Sequence, residues 1–159
     1  MATIVVIYDS VTGNTEEMSK AIAEGINTNE GVKSVTKKLG ESFSLSLLSE
    51  ANGVVFGSPV HYAYVTQKMK EFIENLEEEK RAGRLDFSNK IGAVFGSYGW
   101  DGGIAIERFE KVVSSLGLKV EPAFHLKIDF QPLPIMRSKS LEECREFGRL
   151  FAEKVSSKF

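Results

Sequence analysis

The 159-residue sequence predicts an α/β protein: an open, mostly parallel, doubly wound sheet with helices on both faces. Three features predict it. Short continuous apolar runs rich in β-branched residues recur along the chain, and stretches of helical period separate them. Clusters of Gly, Ser, Thr and Asn stand where the apolar runs stop. Strand and helix alternating in this way require right-handed crossovers, which lay the helices over both sides of one sheet.

The first run, Ile4 to Tyr8, suits a strand covered on both faces. Val32 to Leu39 is a weaker second strand, and Gly53 to Gly57, Ile91 to Gly96 and Lys119 to Ile128 are three more. Met18, Ile22 and Ile26 mark the first helix, and "SFSLSLLSEAN" supplies a short second one. Met69, Phe72, Ile73 and Leu76 form the apolar stripe of the third helix; Ile106, Phe109, Val112, Val113 and Leu116 form that of the fourth. "SLEECREFGRLFAEKVSS" reads as the last helix, with Ser140 as its N-cap and Glu143 three residues on. The chain has no internal repeat, low-complexity segment or linker, so residues 1–159 are expected to form one domain. "EEEKRAGRLD" reads as a solvated helix end and loop in preference to a partner site, and "DFQPLPIMRSKS" as an ordinary connection in preference to a partner surface.

Composition narrows the function. With 42% hydrophobic residues and a formal charge of −2, the chain can bury an ordinary core and carries no basic footprint for nucleic acid or an anionic membrane. No apolar run approaches a membrane span, and "TIVVIY" is too short for a signal peptide, so a soluble, cytoplasmic protein is expected. The single cysteine, Cys144, falls in a helical pattern and reads as a helix residue rather than a redox centre. His61 and His125 are scattered without metal-ligand spacing.

In sheets of this class ligands bind beyond the carboxyl ends of the strands. After the first strand, Ser10, Thr12 and Thr15 offer hydroxyls and Asn14 an amide, while Gly13 permits a turn that aims N–H groups at one point. The following helix adds its unsatisfied N–H groups and the positive end of its dipole. With no Lys or Arg in the loop, the pattern suits one phosphate held by hydrogen bonds, not a Walker triphosphate site. A plain helix start with a glycine turn fits the same residues. After the third strand, "GSPVHYAYVTQ" has Pro59, which restricts Ser58 to extended geometry and makes a rigid wall, then His61, Tyr62 and Tyr64. After the fourth, "GSYGWDGG" carries four glycines around Tyr98 and Trp100, the only tryptophan. Large rings on so bare a loop suit stacking on a flat ligand, although Trp100 could equally cap the edge of the sheet. Taken together the loops suit FMN.

These residues carry a family likeness. "SVTGNTE" resembles the phosphate loop of flavodoxins, and the whole chain follows the short-chain flavodoxin plan; "GSYGWDGG" is similar to the flavodoxin-like domain of flavodiiron proteins. "GSPVHY" is also similar to a loop of flavodoxin-like NAD(P)H:quinone oxidoreductases. The resemblance implies a five-stranded sheet of order 2-1-3-4-5 and FMN as cofactor. It implies that Ser10, Val11, Thr12, Gly13, Asn14 and Thr15 surround the FMN phosphate. Ser58, Pro59, Val60, His61 and Tyr62 would border the ring on one side, and Ser97, Tyr98, Gly99, Trp100, Asp101, Gly102 and Gly103 on the other. The implied role is electron transfer between redox protein partners, a reductase or a terminal acceptor, with no catalytic side chain, no metal, and a monomer or weak homo-oligomer. The enzymatic alternative is an FMN-dependent NAD(P)H:quinone or flavin reductase. A phosphoacceptor signalling module on the same fold needs an aspartate at the end of the third strand beside an acidic pair; the chain has Gly57-Ser58 and a lone Asp9.

The chain departs from many flavodoxins in lacking a glycine among Val60, His61, Tyr62 and Ala63, where a peptide flip toward the flavin would need positive φ. In the two ring loops only Asp101 is acidic, which weakens like-charge repulsion against a reduced, anionic flavin. Stepwise photoreduction of the FMN-loaded protein is therefore expected to accumulate little of the blue one-electron-reduced form; a large blue intermediate would contradict this.

Overall fold

The computed structural model describes residues 1–11, 13–42, 44–61, 64–98, 104–129 and 134–159, with backbone alone for 61, 98, 121–129 and 134–136. Its elements run β1 (Ala2–Tyr8), α1 (Asn14–Ile26), β2 (Val32–Lys38), α2 (Leu45–Glu50), β3 (Gly53–His61), β4 (Tyr64–Val65), α3 (Gln67–Arg81), β5 (Ile91–Tyr98), α4 (Ile104–Ser114), β6 (Lys119–Asp129) and α5 (Pro134–Lys158). The parallel strands lie in the order β2-β1-β3-β5-β6, which is the 2-1-3-4-5 order of the five long strands. The two-residue β4 is a sixth strand that the sequence does not announce, pairing antiparallel with the end of β3 through Val60↔Val65 and His61↔Tyr64.

Alternation along β1 explains why its apolar run is continuous. Ile4, Val6 and Tyr8 face one core with Met18, Ile22 and Ile26 of α1 and Phe147, Phe151 and Val155 of α5. Val5 and Ile7 face the other, with Leu48 of α2, Met69, Ile73 and Leu76 of α3, and Ile106, Phe109 and Val113 of α4. Each such side chain contributes about 1.5–3 kcal/mol on burial, so neither face of β1 can be left to water.

On the first face, α1 and α5 cross backbone to backbone. A Cβ placed on Gly25 would sit 1.9 Å from the Arg145 carbonyl oxygen, and one on Gly148 would sit 2.1 Å from that of Ile22. Ion pairs flank the crossing, with Arg145 to Glu24 at 2.8 Å; exposed pairs of this kind contribute little beyond orientation.

Several boundaries differ from the sequence reading. β3 runs four residues past Gly57, because Ser58↔Gly96 and Pro59↔Ser97 continue the ladder with β5. The ladder with β1 ends at Tyr8↔Gly57, so the donor that Pro59 lacks falls where β1 no longer runs alongside. The wall after the third strand is thus sheet rather than loop. α5 begins at Pro134, not after Ser140: proline at the first helical position forfeits only an N–H that the helix could not use. Ser140 lies inside that helix, and residues 134–139, read as part of a connection, are its first turns. α4 closes at Ser114, yet Leu116 in the following turn is fully buried.

Gly148→Ala and Gly25→Ala should each lower stability by about 1–3 kcal/mol, since the obstructing atoms are backbone and cannot rotate away. Urea unfolding measures this; an unchanged midpoint would show that α1 and α5 can separate freely.

Candidate functional site

β1, β3 and β5 are neighbours in the sheet, so their carboxyl ends bring Asp9, Ser10, Val11 and Gly13, the 58–61 segment, and Ser97 and Tyr98 to one edge. The turn after β1 is built by Ser10 and Gly13. Gly13 is the N-cap of α1 at φ 94°, ψ −10°, a left-handed conformation in which a side chain is strained although the space beside it is open. The Ser10 hydroxyl oxygen accepts the N–H groups of Gly13 at 3.2 Å and Glu16 at 3.3 Å, so a residue outside the helix satisfies two of its first donors. The N–H groups of Asn14 and Thr15 lie in the same turn, among those a helix cannot satisfy by itself.

Thr15 is the telling residue. It is 1% exposed, and its Oγ1 has no hydrogen-bond partner among the described residues. A buried hydroxyl without a partner costs about 1–3 kcal/mol, so an unpaired one beside unsatisfied helix N–H groups fits a ligand that accepts hydrogen bonds. The nearby acids are engaged elsewhere: the Tyr8 hydroxyl donates to Glu16 Oε1 at 3.1 Å, and Glu17 pairs with Arg137 of α5. Burial, then the bond to Glu16, pushes the Tyr8 hydroxyl up to about 12.

Two residues outside the predicted set tie this turn to the β3 wall. Asp9, 4% exposed, accepts the Ser10 N–H at its Oδ1 at 2.9 Å and the Thr66 hydroxyl at its Oδ2 at 2.5 Å. Thr66 is the N-cap of α3, its oxygen accepting Met69 N–H at 3.3 Å. Its own N–H donates to the Ser58 hydroxyl oxygen at 3.1 Å, and Ser58 is fully buried and donates to the Pro59 carbonyl at 2.9 Å. A threonine ahead of the amphipathic α3 is a legible helix start. Nothing local marks Asp9 as its partner, 57 residues away.

Of the other predicted residues, Val11 is exposed at the tip of the first turn, Val60 is half-buried, and Ser97 is buried in β5. His61 and Tyr98 end β3 and β5. Thr12, Tyr62, Gly99, Trp100, Asp101, Gly102 and Gly103 lie outside the described residues. The Arg108 guanidinium of α4 stands over the Tyr64 ring, 4.9 Å from its centre, and links β4 to α4. Cys144 is fully buried in α5 and its thiol is pushed up to about 12, chiefly by burial, which suits a packed helix residue. Among the described residues no group of acids, histidines or cysteines could hold a metal ion.

Two clefts bounded by described residues open elsewhere, at the amino ends of the strands. One of about 490 Å³ lies around Met1, Gly31, Asn52 and Phe159, and one of about 340 Å³ lies around Ser49, Asp86, Asn89 and Lys90. In the second, Lys90 Nζ already donates to the carbonyls of Ser49 at 2.7 Å and Ala51 at 2.6 Å, closing the end of α2. Both clefts lack the convergence of turn, helix start and strand ends found at the opposite edge.

Comparison with known proteins decides the family, because the flavodoxin family model matches residues 6–147. The chain belongs to the flavodoxin family. It is 32% identical over 167 residues to a flavodoxin of Aquifex aeolicus, covering 98% of this chain and 88% of that protein. It is 30% identical over 154 residues to an anaerobic nitric oxide reductase flavorubredoxin of Vibrio vulnificus, covering 94% of this chain. The chain spans only 28% of that relative's length. A solved flavodoxin from the domain Archaea superposes with a TM-score of 0.78 at 31% identity, covering 96% of this chain and 98% of that one. The cofactor of the flavodoxin family is FMN, and a phosphate is what the turn around the orphaned Thr15 hydroxyl fits. No helix among the described residues is long and apolar enough to cross a membrane.

Thr15→Val is expected to leave the ligand-free protein as stable as the parent, or more stable by up to about 1 kcal/mol, because it removes an unpaired buried hydroxyl. Ser10→Ala should instead cost about 1 kcal/mol by stranding two helix N–H groups. Thermal unfolding of the two variants without ligand distinguishes them.

Proposed function

We propose that the chain is a flavodoxin-type electron carrier that holds FMN at the carboxyl ends of β1, β3 and β5 and exchanges electrons with separate redox proteins. The observation that carries the reading is the unpartnered Thr15 hydroxyl, buried in a turn that gathers helix N–H groups and contains no Lys or Arg. In this reading Ser10, Val11, Thr12, Gly13, Asn14 and Thr15 enclose the phosphate, neutralising it by hydrogen bonds and the helix dipole. Ser58 to Tyr62 and Ser97 to Gly103 border the ring, the first held straight by its pairing with β5. FMN when bound supplies the redox chemistry. The chain's residues bind it, orient it and set the charge and hydrogen bonding around it. In this reading no side chain is catalytic, the partner is a reductase or terminal acceptor, residues 1–159 form one domain, and the setting is cytoplasmic.

An absorption titration of the purified protein with FMN tests the binding, and failure to bind would remove the proposal. Thr15→Val should weaken FMN binding roughly tenfold or more, the scale of one hydrogen bond to a charged group. With FMN bound, the carrier should be inert to NADPH alone and reduced rapidly by a separate flavodoxin reductase. Rapid NADPH oxidation without any partner protein would favour a reductase instead.

A further inference from the structure

The phosphate turn and the β3 wall belong to different parts of the chain, yet one buried carboxylate bonds to the first directly and reaches the second through Thr66. Asp9 is 4% exposed and takes two hydrogen bonds, from Ser10 N–H at 2.9 Å and from Thr66 Oγ1 at 2.5 Å. On the Ser10 side the chain of bonds continues through the Ser10 hydroxyl oxygen, which accepts from Gly13 and Glu16 and so shapes the start of α1. On the Thr66 side it continues through Thr66 N–H to the Ser58 hydroxyl and on to the Pro59 carbonyl. Thr66 also caps α3, so the same hydroxyl fixes a helix start and reaches the carboxylate. Such a chain of hydrogen bonds acts as a unit, because a carboxylate as buried as Asp9 that loses either donor is left with an unpaired lone pair.

We propose that Asp9 and Thr66 are positioning residues that couple the two halves of the ligand site. An anion seated on the Ser10–Thr15 turn then holds the Ser58–Pro59 wall in its ring-binding geometry, and a ring against that wall tightens the anion site in return. Neither residue needs to touch the ligand. The inference rests on the FMN reading of the site and goes beyond it, since a site built of two independent halves would bind FMN as well.

FMN can be divided into riboflavin and inorganic phosphate, and the coupling is read as the factor by which saturating phosphate raises riboflavin affinity, measured by flavin fluorescence quenching. In the parent protein that factor should be at least about fivefold. Asp9→Asn spares the Thr66 cap of α3 and should bring the factor close to one. Thr66→Val should do the same, the double variant should fall no further, and Thr66→Ser should restore most of the factor. A merely structural role would lower the unfolding temperature and both affinities but leave their ratio intact. Should Asp9→Asn not fold, the comparison of Thr66→Val with Thr66→Ser carries the test. A parent protein that binds FMN but shows no phosphate effect on riboflavin, or variants that keep the full factor, would overturn the coupling alone. A parent that binds no FMN would overturn the functional reading with it.

Discussion

Burial of the central strands on both faces is the constraint from which the rest of the molecule follows. Val5 and Ile7 point one way and Ile4 and Val6 the other, all fully buried, so helices must cover both sides of the sheet. Parallel strands can meet that demand only through helical crossovers, and the crossovers place the start of each covering helix near the carboxyl end of a strand. Backbone donors that no helix can satisfy internally therefore collect along one edge. In this chain the edge also collects Ser10, Gly13, Thr15 and Ser58.

The two faces are closed by different means. Under α2, α3 and α4 the core is filled with large side chains, including Phe56, Phe87 and Phe109, and the helices stand off on them. Under α1 and α5 the helices also press on each other, with Gly25 and Gly148 each facing the other helix's carbonyl groups. The close crossing matters to the proposed site because α1 begins at the Ser10–Gly13 turn. A helix fixed at Gly25 by backbone contact, and by the Glu17–Arg137 pair near its first turn, is a rigid mount for the turn.

At this edge, hydrogen bonds satisfy most of the polar side chains and leave one without a partner among the described residues. Ser10 and Asp9 meet the needs of Gly13, Glu16 and Thr66, while the Thr15 hydroxyl is left without a partner at 1% exposure. That contrast is what favours the proposed binding role over an ordinary helix cap, and residue types alone do not display it. "SVTGNTE" fits both, because any Ser, Thr or Asn in that stretch can either cap the helix or face a ligand.

The alternation of elements was legible in the sequence, since apolar period is a local property that burial on two faces imposes directly, while the order of the five long strands came from the family resemblance. The ends of elements were less so. Gly57-Ser58-Pro59 has turn composition, but the ladder with β5 keeps it extended, and Pro134 opens a helix that nearby Pro132 and the polar residues after it concealed. Only tertiary structure decided what Asp9 does. Its partner Thr66 is distant in sequence and is brought within 2.5 Å by the adjacency of β1 and β3 together with the start of α3. A carboxylate's role depends on which donors reach it through space, and the order of residues along the chain does not encode that by itself.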